Sequence, residues 1–355
     1  MKPTTTFLTA LFGLCVLNPT LLQAEELPDP DGKPADMSKP VKVFILMGQS
    51  NMVGFGKVDG GKDGCLDYAV KEEGLFPFLV DDQGKWTQRQ DVRYVFTMGS
   101  GGFGGKAGIK KNEFLTITGG KIGPEIGIAH YLGNHYDEPV LILKSCIGNR
   151  SLGWDLLPPG SPSYEYEEMD KKSKQMKTYT YAGYGQSPDR WEKGTEPQPI
   201  KWQAGLQYDG DIARAKEVLK NLDTYYPGAT SYEIAGFFWW QGDKDRYKTG
   251  HAAKYQQNIV NLFKALRKDF NAPKAKMVIA TLGQSAKDSA TGNDKLILDA
   301  MLAFPMHPDC KGDTATVYTH PLNLGGASNS HYGGNAKTYM NVGLGMGKAM
   351  VELVK

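Results

Sequence analysis

Residues 41–51 read Val-Lys-Val-Phe-Ile-Leu-Met-Gly-Gln-Ser-Asn, and this stretch decides the fold. An apolar, partly β-branched run that stops at a glycine is typical of a strand buried on both faces of a parallel sheet. Sites of open α/β sheets lie beyond the carboxyl ends of their strands, so Ser50 is placed where a nucleophile is expected. The alternative is an ordinary turn, because Gly, Ser and Asn are common turn residues.

Further strands and helices are predicted to alternate along the rest of the chain. Apolar runs predict strands over residues 139–145, 232–240, 276–282 and 315–319. Helical spacing of apolar residues predicts helices at about 124–135 and over 252–270, 293–304 and 335–354. A further helix is predicted to end near Leu222, with Asp209 or Asp211 as its N-terminal cap. This alternation predicts one α/β domain over residues 41–355, a three-layer α/β/α sandwich around a mostly parallel sheet of about five strands.

Two long segments interrupt this pattern and are expected to be loops, at about 54–120 and 151–207. Loops of this length are uncommon unless they serve a site. The second segment is rich in Tyr and Trp. These aromatic side chains either stack on sugar rings at the rim of a site or form small satellite cores beneath the loops.

The amino terminus has the features of a secretory signal. Lys2 is followed by an apolar stretch at 7–17, which is too short to span a bilayer, and Leu22-Gln23-Ala24 is a plausible cleavage point. Residues 1–24 are therefore predicted to be a signal peptide, and residues 25–40 a polar leader. The mature protein is expected to be secreted or periplasmic.

Charge and cysteine content narrow the class of protein. The net charge is +2 without a cluster of Lys and Arg, so neither nucleic-acid binding nor membrane binding is expected. No His and Cys spacing suggests a metal site, and no cofactor is expected. After processing, Cys65 and Cys310 could form one disulfide, whereas Cys146 ends an apolar strand and is expected to be a buried thiol.

A serine nucleophile requires a base, an orienting carboxylate and donors for the oxyanion. His331 is the best candidate base because it lies in a loop between the last predicted strand and the last helix; His320 is the alternative. Gln241 follows the third strand and could donate a side-chain N–H to the oxyanion, while Asp243 or Asp245 could orient the histidine. A capping loop is the alternative for this acidic stretch.

The end of the second strand adds a glycine and an arginine. Gly148 permits close approach of the main chain to a substrate and could offer an N–H. Arg150 either neutralises an acidic sugar or pairs with a surface carboxylate. A simple turn is the alternative for this stretch.

Five short motifs together resemble the SGNH hydrolase superfamily, and within it the sialate O-acetylesterase and acetylxylan esterase group, carbohydrate esterase family six. These motifs are Gly-Gln-Ser-Asn-Met at 48–52, Ile-Gly-Pro-Glu-Ile-Gly at 122–127, Lys-Ser-Cys-Ile-Gly at 144–148, Trp-Gln-Gly-Asp at 240–243 and His-Tyr at 331–332. The resemblance spans nearly all of residues 41–355. It implies a flavodoxin-like fold and a carbohydrate O-acetylesterase that needs no metal or cofactor.

The resemblance implies a role for each matching residue. Ser50 is the expected nucleophile and His331 the expected base, and the expected oxyanion donors are the Ser50 amide, Gly148 and Gln241. Many members carry an aspartate two or three residues before the histidine, where this chain has Asn329 and Ser328, so Asp243 is taken as the orienting acid and Asp245 as its rival. Candidate substrate contacts are Gln49, Asn51, Arg150 and Trp240.

The sequence thus predicts an exported esterase that removes acetyl groups from a sugar or polysaccharide through an acyl-enzyme. Two alternatives remain open at this point. One is a non-catalytic glycan-binding protein on a degenerate hydrolase scaffold, and the other is a short-chain esterase of non-carbohydrate substrates. The oligomeric state is not predicted.

Overall fold

The computed structural model describes residues 32–102 and 108–355. The predicted signal peptide and the first part of the predicted leader lie outside the described residues. Among those described, no helix is both long and apolar enough to cross a membrane.

Strands and helices alternate along most of the chain. The strands run over Val41–Gly48 (β1), Gly56–Lys57 (β2), Gln88–Thr97 (β3), Ile109–Thr116 (β4), Lys121–Ile122 (β5), Val140–Ser145 (β6), Tyr164–Met169 (β7), Met176–Tyr181 (β8), Arg190–Glu192 (β9), Tyr232–Trp240 (β10), Lys276–Ala280 (β11) and Thr314–Val317 (β12). The α-helices run over Ser50–Val53 (α1), Leu66–Lys71 (α2), Glu125–His135 (α3), Leu206–Lys220 (α4), Leu222–Tyr225 (α5), Thr249–Asp269 (α6), Gly292–Ala303 (α7) and Ala336–Val354 (α8).

The central sheet has seven strands within the described residues, in the order β12-β11-β10-β1-β6-β3-β4. All neighbouring pairs are parallel except β3 and β4. β1 lies between β10 and β6, with Gly48 opposite Trp240 and Leu46 opposite Lys144. The carboxyl ends of these three strands therefore lie side by side, where a site is expected.

β1 is buried on both faces, as its continuous apolar run predicts. Val43, Ile45 and Met47 join a core cluster that α4, α6 and α7 complete on one face of the sheet. Phe44 and Leu46 join the cluster on the other face, which α3 and α8 cover. The three-layer α/β/α architecture is therefore confirmed.

The strand count and the first long loop differ from the prediction. Within the described residues the sheet has seven strands rather than about five, because β3 and β4 lie in the segment 54–120 that the sequence predicts to be a loop. Both carry charged residues that interrupt the apolar pattern. Arg89 in β3 is buried but bonded to Asp91 at 2.6 Å, and β4 is an antiparallel edge strand with Lys111 half-buried.

The segment 151–207 also has regular structure. β7, β8 and β9 form a separate antiparallel sheet. Trp154 packs with Leu157 in a small cluster, against which Trp191 and Trp202 lie. These tryptophans therefore follow the satellite-core alternative.

Two smaller predictions are wrong. Asp209 and Asp211 do not cap α4, because that helix begins at Leu206 and contains both. Cys65 and Cys310 form no disulfide; both are free and buried, as is Cys146. The two sheet faces separate them, since Cys310 packs in the cluster of one face and Leu66, next to Cys65, packs in the cluster of the other.

Candidate active site

Ser50 lies directly beyond the carboxyl end of β1, as the first residue of α1, and is half-buried. The turn before it requires glycine. Gly48 has φ +148°, and a Cβ there would lie 2.3 Å from the carbonyl oxygen of Trp240 on the neighbouring strand. Gln49 N donates to that same oxygen at 3.2 Å. The close approach of β10 thus defines where Ser50 is presented.

Gly148 in the loop after β6 lies against this serine. A Cβ at position 148 would lie 3.5 Å from Ser50 Cβ, which is ordinary van der Waals contact. The next residue, Asn149, has φ +58°, so the loop turns sharply there. The predicted juxtaposition of Ser50 and Gly148 is therefore present.

His331 lies in the turn over Ser328–Gly334, between β12 and α8. His331 and Tyr332 have φ of +54° and +52°, a left-handed conformation that is uncommon for residues other than glycine and that concentrates at functional sites. The imidazole is half-buried and stacks on Phe55, with ring centroids 4.0 Å apart. This packing limits the orientations available to the ring.

A buried amide joins the Ser50 turn to the His331 turn. Asn51 Nδ2 donates to the Ser328 carbonyl oxygen and lies 3.3 Å from Tyr332 Oη, and Tyr339 Oη donates to Asn51 Oδ1 at 3.1 Å. Neither Ser50 Oγ nor the His331 ring takes part in a hydrogen bond among the described residues. Catalytic hydrogen bonds of unliganded sites often form only when substrate binds.

The charged groups around His331 determine its protonation. Burial lowers the pKa of His331 below its usual 6.5, and Lys121 lowers it further, while Asp243 raises it. Burial is the largest of these effects. The imidazole is therefore neutral near neutral pH, the form that accepts a proton.

The two candidate acids have different surroundings. Asp245 is fully buried and accepts hydrogen bonds from Leu152 N at 2.9 Å and Gly153 N at 2.8 Å, so it holds the loop after β6. Asp243 is the carboxylate whose charge acts on His331. Of the two, Asp243 is therefore the better candidate for the orienting acid.

Gln241 has bonds that differ from its expected role as an oxyanion donor. Its Nε2 lies 2.6 Å from Asp245 Oδ2, 2.9 Å from the Arg150 carbonyl oxygen and 3.1 Å from Gln49 Oε1. Two N–H groups thus face three protein acceptors, and the residue is 1% exposed. Gln241 ties together the ends of β1, β6 and β10 and offers no spare donor in this arrangement.

The predicted substrate contacts need correction as well. Trp240 is fully buried, donates to the Thr281 carbonyl oxygen at 3.0 Å and stacks on Tyr332, so it belongs to the core. Gln49 and Asn51 are 3% and 1% exposed, and their side chains bond to the scaffold. All three side chains are thus buried and bonded to the protein itself in this structure.

Arg150 remains partly exposed beside the Gly148 loop. Its guanidinium donates to Gln207 Oε1 at 3.1 Å and Ser100 Oγ at 2.6 Å, and it lies 4.9 Å from the centre of the Trp202 ring. No ion pair of Arg150 with a carboxylate is present within the described part of the chain. The alternative of a surface ion pair is thus not observed.

Two groups near the site were not assigned by the sequence. Arg246 and Ser328 both donate to Asp243, at 2.7 Å each. Arg246 lies three residues after the acid, which is a weak signal, whereas nothing in the sequence links Ser328 to position 243. Within residues 32–102 and 108–355, no group of three or more His, Cys, Asp or Glu side chains could hold a metal ion.

Within the described residues, Ser50 is thus a half-buried serine at the end of a central strand of a seven-stranded α/β/α fold. Residues 180–352 match the family described as "Carbohydrate esterase, sialic acid-specific acetylesterase", which confirms the resemblance drawn from the motifs. The matched range includes Asp243 and His331 but not Ser50. No curated protein matches the sequence.

Several solved structures are similar to this chain. A carbohydrate acetylesterase from Xanthomonas citri matches with TM-score 0.51 and 13% identity, over 87% of this chain and 55% of that one. A protein from Arabidopsis thaliana matches with TM-score 0.48 and 16% identity, over 88% and 99%. NanS matches with TM-score 0.42 and 14% identity, over 80% and 78%. The Xanthomonas citri match supports the fold.

Proposed function

We propose that this protein is an exported carbohydrate O-acetylesterase that works through an acetyl-enzyme formed on Ser50. One observation carries the proposal: Ser50, the Gly148 main chain and the turn bearing His331 converge at one edge of the sheet, and Asp243 acts electrostatically on that histidine. The family match over residues 180–352 supports the acetylated carbohydrate as substrate. The predicted signal peptide supports export.

The mechanism follows from these groups. His331, neutral near neutral pH, accepts the proton of Ser50 Oγ as that oxygen attacks the acetyl carbonyl carbon. The main-chain N–H groups of Ser50 and Gly148 donate to the oxyanion of the tetrahedral intermediate. His331 then protonates the leaving sugar oxygen, which gives the acetyl-enzyme and the free hydroxyl of the sugar.

Deacylation repeats the same steps with water as the nucleophile. His331 accepts a proton from water, the hydroxide adds to the acetyl carbon, and the proton returns to Ser50 Oγ as acetate leaves. Asp243 stabilises the imidazolium that forms twice in each cycle. Because His331 transfers every proton and Ser50 is the nucleophile, the proposed mechanism uses no cofactor.

Arg150 is the proposed contact to the sugar. Its guanidinium is partly exposed next to the Gly148 loop and is held in place by Gln207, Ser100 and the Trp202 ring. A guanidinium held in this way loses little conformational entropy on binding and can bond a carboxylate or two neighbouring hydroxyls. This supports a substrate that the site recognises through its sugar, which is the leaving group, rather than through a long acyl chain.

The test compares wild type with Ser50→Ala on acetylated xylan, O-acetylated sialic acid and aryl esters from acetate to octanoate. We expect hydrolysis that is fastest for acetate and abolished in a folded Ser50→Ala variant. Full activity in that variant would refute the mechanism. Inactivity of wild type together with sugar affinity would favour the glycan-binding alternative, and activity on aryl acetates alone would favour an esterase of non-carbohydrate substrates.

A further inference from the structure

Three hydrogen bonds converge on one oxygen of the Asp243 carboxylate. Ser328 Oγ donates to Oδ1 at 2.7 Å, and Arg246 donates to the same oxygen through Nη2 at 2.7 Å and through Nε at 3.1 Å. Within the described part of the chain, no hydrogen bond reaches Oδ2. One oxygen is thus held from three directions, while the other can face a further donor.

The two donors are themselves held in a closed ring of hydrogen bonds. Arg246 Nη1 donates to Asp294 Oδ1 at 2.8 Å, and Gln284 Nε2 donates to Asp294 Oδ2 at 3.0 Å. Gln284 Oε1 accepts from Ser328 N at 3.1 Å, which brings the ring back to Ser328 and Asp243. The bonds of Gln284 determine its amide orientation, with its oxygen toward Ser328.

The charges in this ring leave the Asp243 carboxylate enough negative charge to act on His331. Asp294 shares the positive charge of Arg246, so Arg246 does not fully neutralise Asp243. The Ser328 hydroxyl also lies against Gln284 Oε1 but has one hydrogen to donate. A carboxylate is the stronger acceptor, because charge-assisted hydrogen bonds are stronger than neutral ones.

Ser328 connects this ring to the proposed base. It is fully buried and lies three residues before His331 in the same turn. We infer that Ser328, together with Arg246, is a positioning residue that fixes Asp243 Oδ1 and thereby directs Oδ2 toward Nδ1–H of His331. The inference rests on the proposed function for its kinetic consequences, and its geometric consequence can be measured without any activity.

The predicted consequence has a definite sign. The charged groups that act on His331 are Asp243, which raises its pKa, and Lys121, which lowers it. If Ser328→Ala releases the carboxylate, His331 loses the group that favours its protonated form, so its pKa falls. If the carboxylate stayed in place with one donor fewer, its negative field would be stronger and the pKa of His331 would not fall.

The experiment measures kinetics and the His331 titration in the full chain. For Ser328→Ala we expect kcat to fall about tenfold with KM unchanged, as for the loss of a hydrogen bond to a charged group, and the acidic limb of kcat/KM to move to lower pH. Ser328→Thr, which keeps the hydroxyl, restores most of kcat. Ser330→Ala is the matched control, because within the described residues its hydroxyl bonds only to the carbonyl oxygen of Ala327, just before the turn.

A double-mutant cycle measures whether Ser328 acts through Asp243. We expect Ser328→Ala to have little further effect on kcat in the Asp243→Asn background, because the hydroxyl then has no carboxylate to position. Additive losses would overturn the inference. Ser328→Cys, of similar size but with a weaker donor, serves the same comparison if Ser328→Ala does not fold.

The NMR titration of the His331 ring separates this inference from the proposed function. The signal is assigned with His331→Gln, and its pKa is compared in wild type, Ser328→Ala and Ser330→Ala. A lower pKa in Ser328→Ala alone supports the positioning role even if no ester is hydrolysed. An unchanged or higher pKa in that variant would overturn it even if the esterase activity is established.

Discussion

Replacing Glu125 by Gln tests a buried ion pair beneath the nucleophile turn. Lys144 is fully buried in β6, and its Nζ lies 2.6 Å from Glu125 Oε2, whose side chain is 6% exposed. The same Nζ donates to the Val53 carbonyl oxygen at 3.2 Å, at the end of α1. Glu125→Gln keeps the volume but leaves the ammonium without a counter-charge.

The cost follows from this burial. Removing one partner of a buried ion pair destabilises a protein by about 3–5 kcal/mol, because the remaining charge is neither hydrated nor paired. Domains are stable by about 5–15 kcal/mol in total. At about 2–4 °C per kcal/mol for a large domain, the melting temperature of Glu125→Gln falls by roughly 10 °C.

Urea unfolding followed by circular dichroism measures this free energy. Asp299→Asn is the control, because Asp299 pairs with Lys295 at 2.8 Å while both side chains are about half exposed, and such pairs contribute about 0.5 kcal/mol or less. Glu125→Gln with Lys144→Met removes both charges and recovers much of the loss. If Glu125→Gln stays within about 0.5 kcal/mol of wild type, the reasoning about this pair is wrong.

Two further predictions concern the acid and the cysteines. Asp243→Asn lowers kcat by about 10³- to 10⁴-fold, as for the orienting acid of other serine hydrolases. It also moves the acidic limb of the pH–rate profile to lower pH, since Asp243 raises the pKa of His331. Initial rates measured across the pH range test this, and a variant that retains more than a tenth of wild-type activity would contradict it. Dithiothreitol leaves the melting temperature unchanged because Cys65, Cys146 and Cys310 are free; a lower melting temperature on reduction would indicate a disulfide.

The sequence was most informative where local pattern and position in the sheet coincide. β10 has the predicted bounds and β1 ends at the predicted glycine, since both strands carry apolar runs that are buried on two faces up to the carboxyl end. The sequence pattern does not predict β3 and β4, because charged residues interrupt their apolar runs and some of these charges are satisfied by partners that the fold supplies. Arg93, for instance, donates to the carbonyl oxygen of Tyr225 at 3.0 Å, far away in the sequence.

The site shows the same division. Ser50 and Gly148 follow from the rule that strand ends share one edge of a sheet. Asp243 and Asp245 are only two residues apart, and the sequence does not show which of them faces His331. In the folded turn the charge of Asp243 acts on His331, whereas Asp245 bonds the main chain of Leu152 and Gly153. The hydrogen bonds of Gln241 join three strand ends, so the sequence alone does not show whether its side chain is free to donate to an oxyanion.

The central claim is that Ser50 is the nucleophile, and covalent labelling tests it most directly. The enzyme is treated with an aryl dialkyl phosphate, which transfers its phosphoryl group to an activated serine oxygen and releases the aryl alcohol. We predict one added phosphoryl group per chain, located by peptide mass spectrometry on Ser50, with loss of esterase activity in proportion and no labelling in Ser50→Ala. Complete inactivation with the label on another residue, or full activity after Ser50 is labelled, would contradict the account.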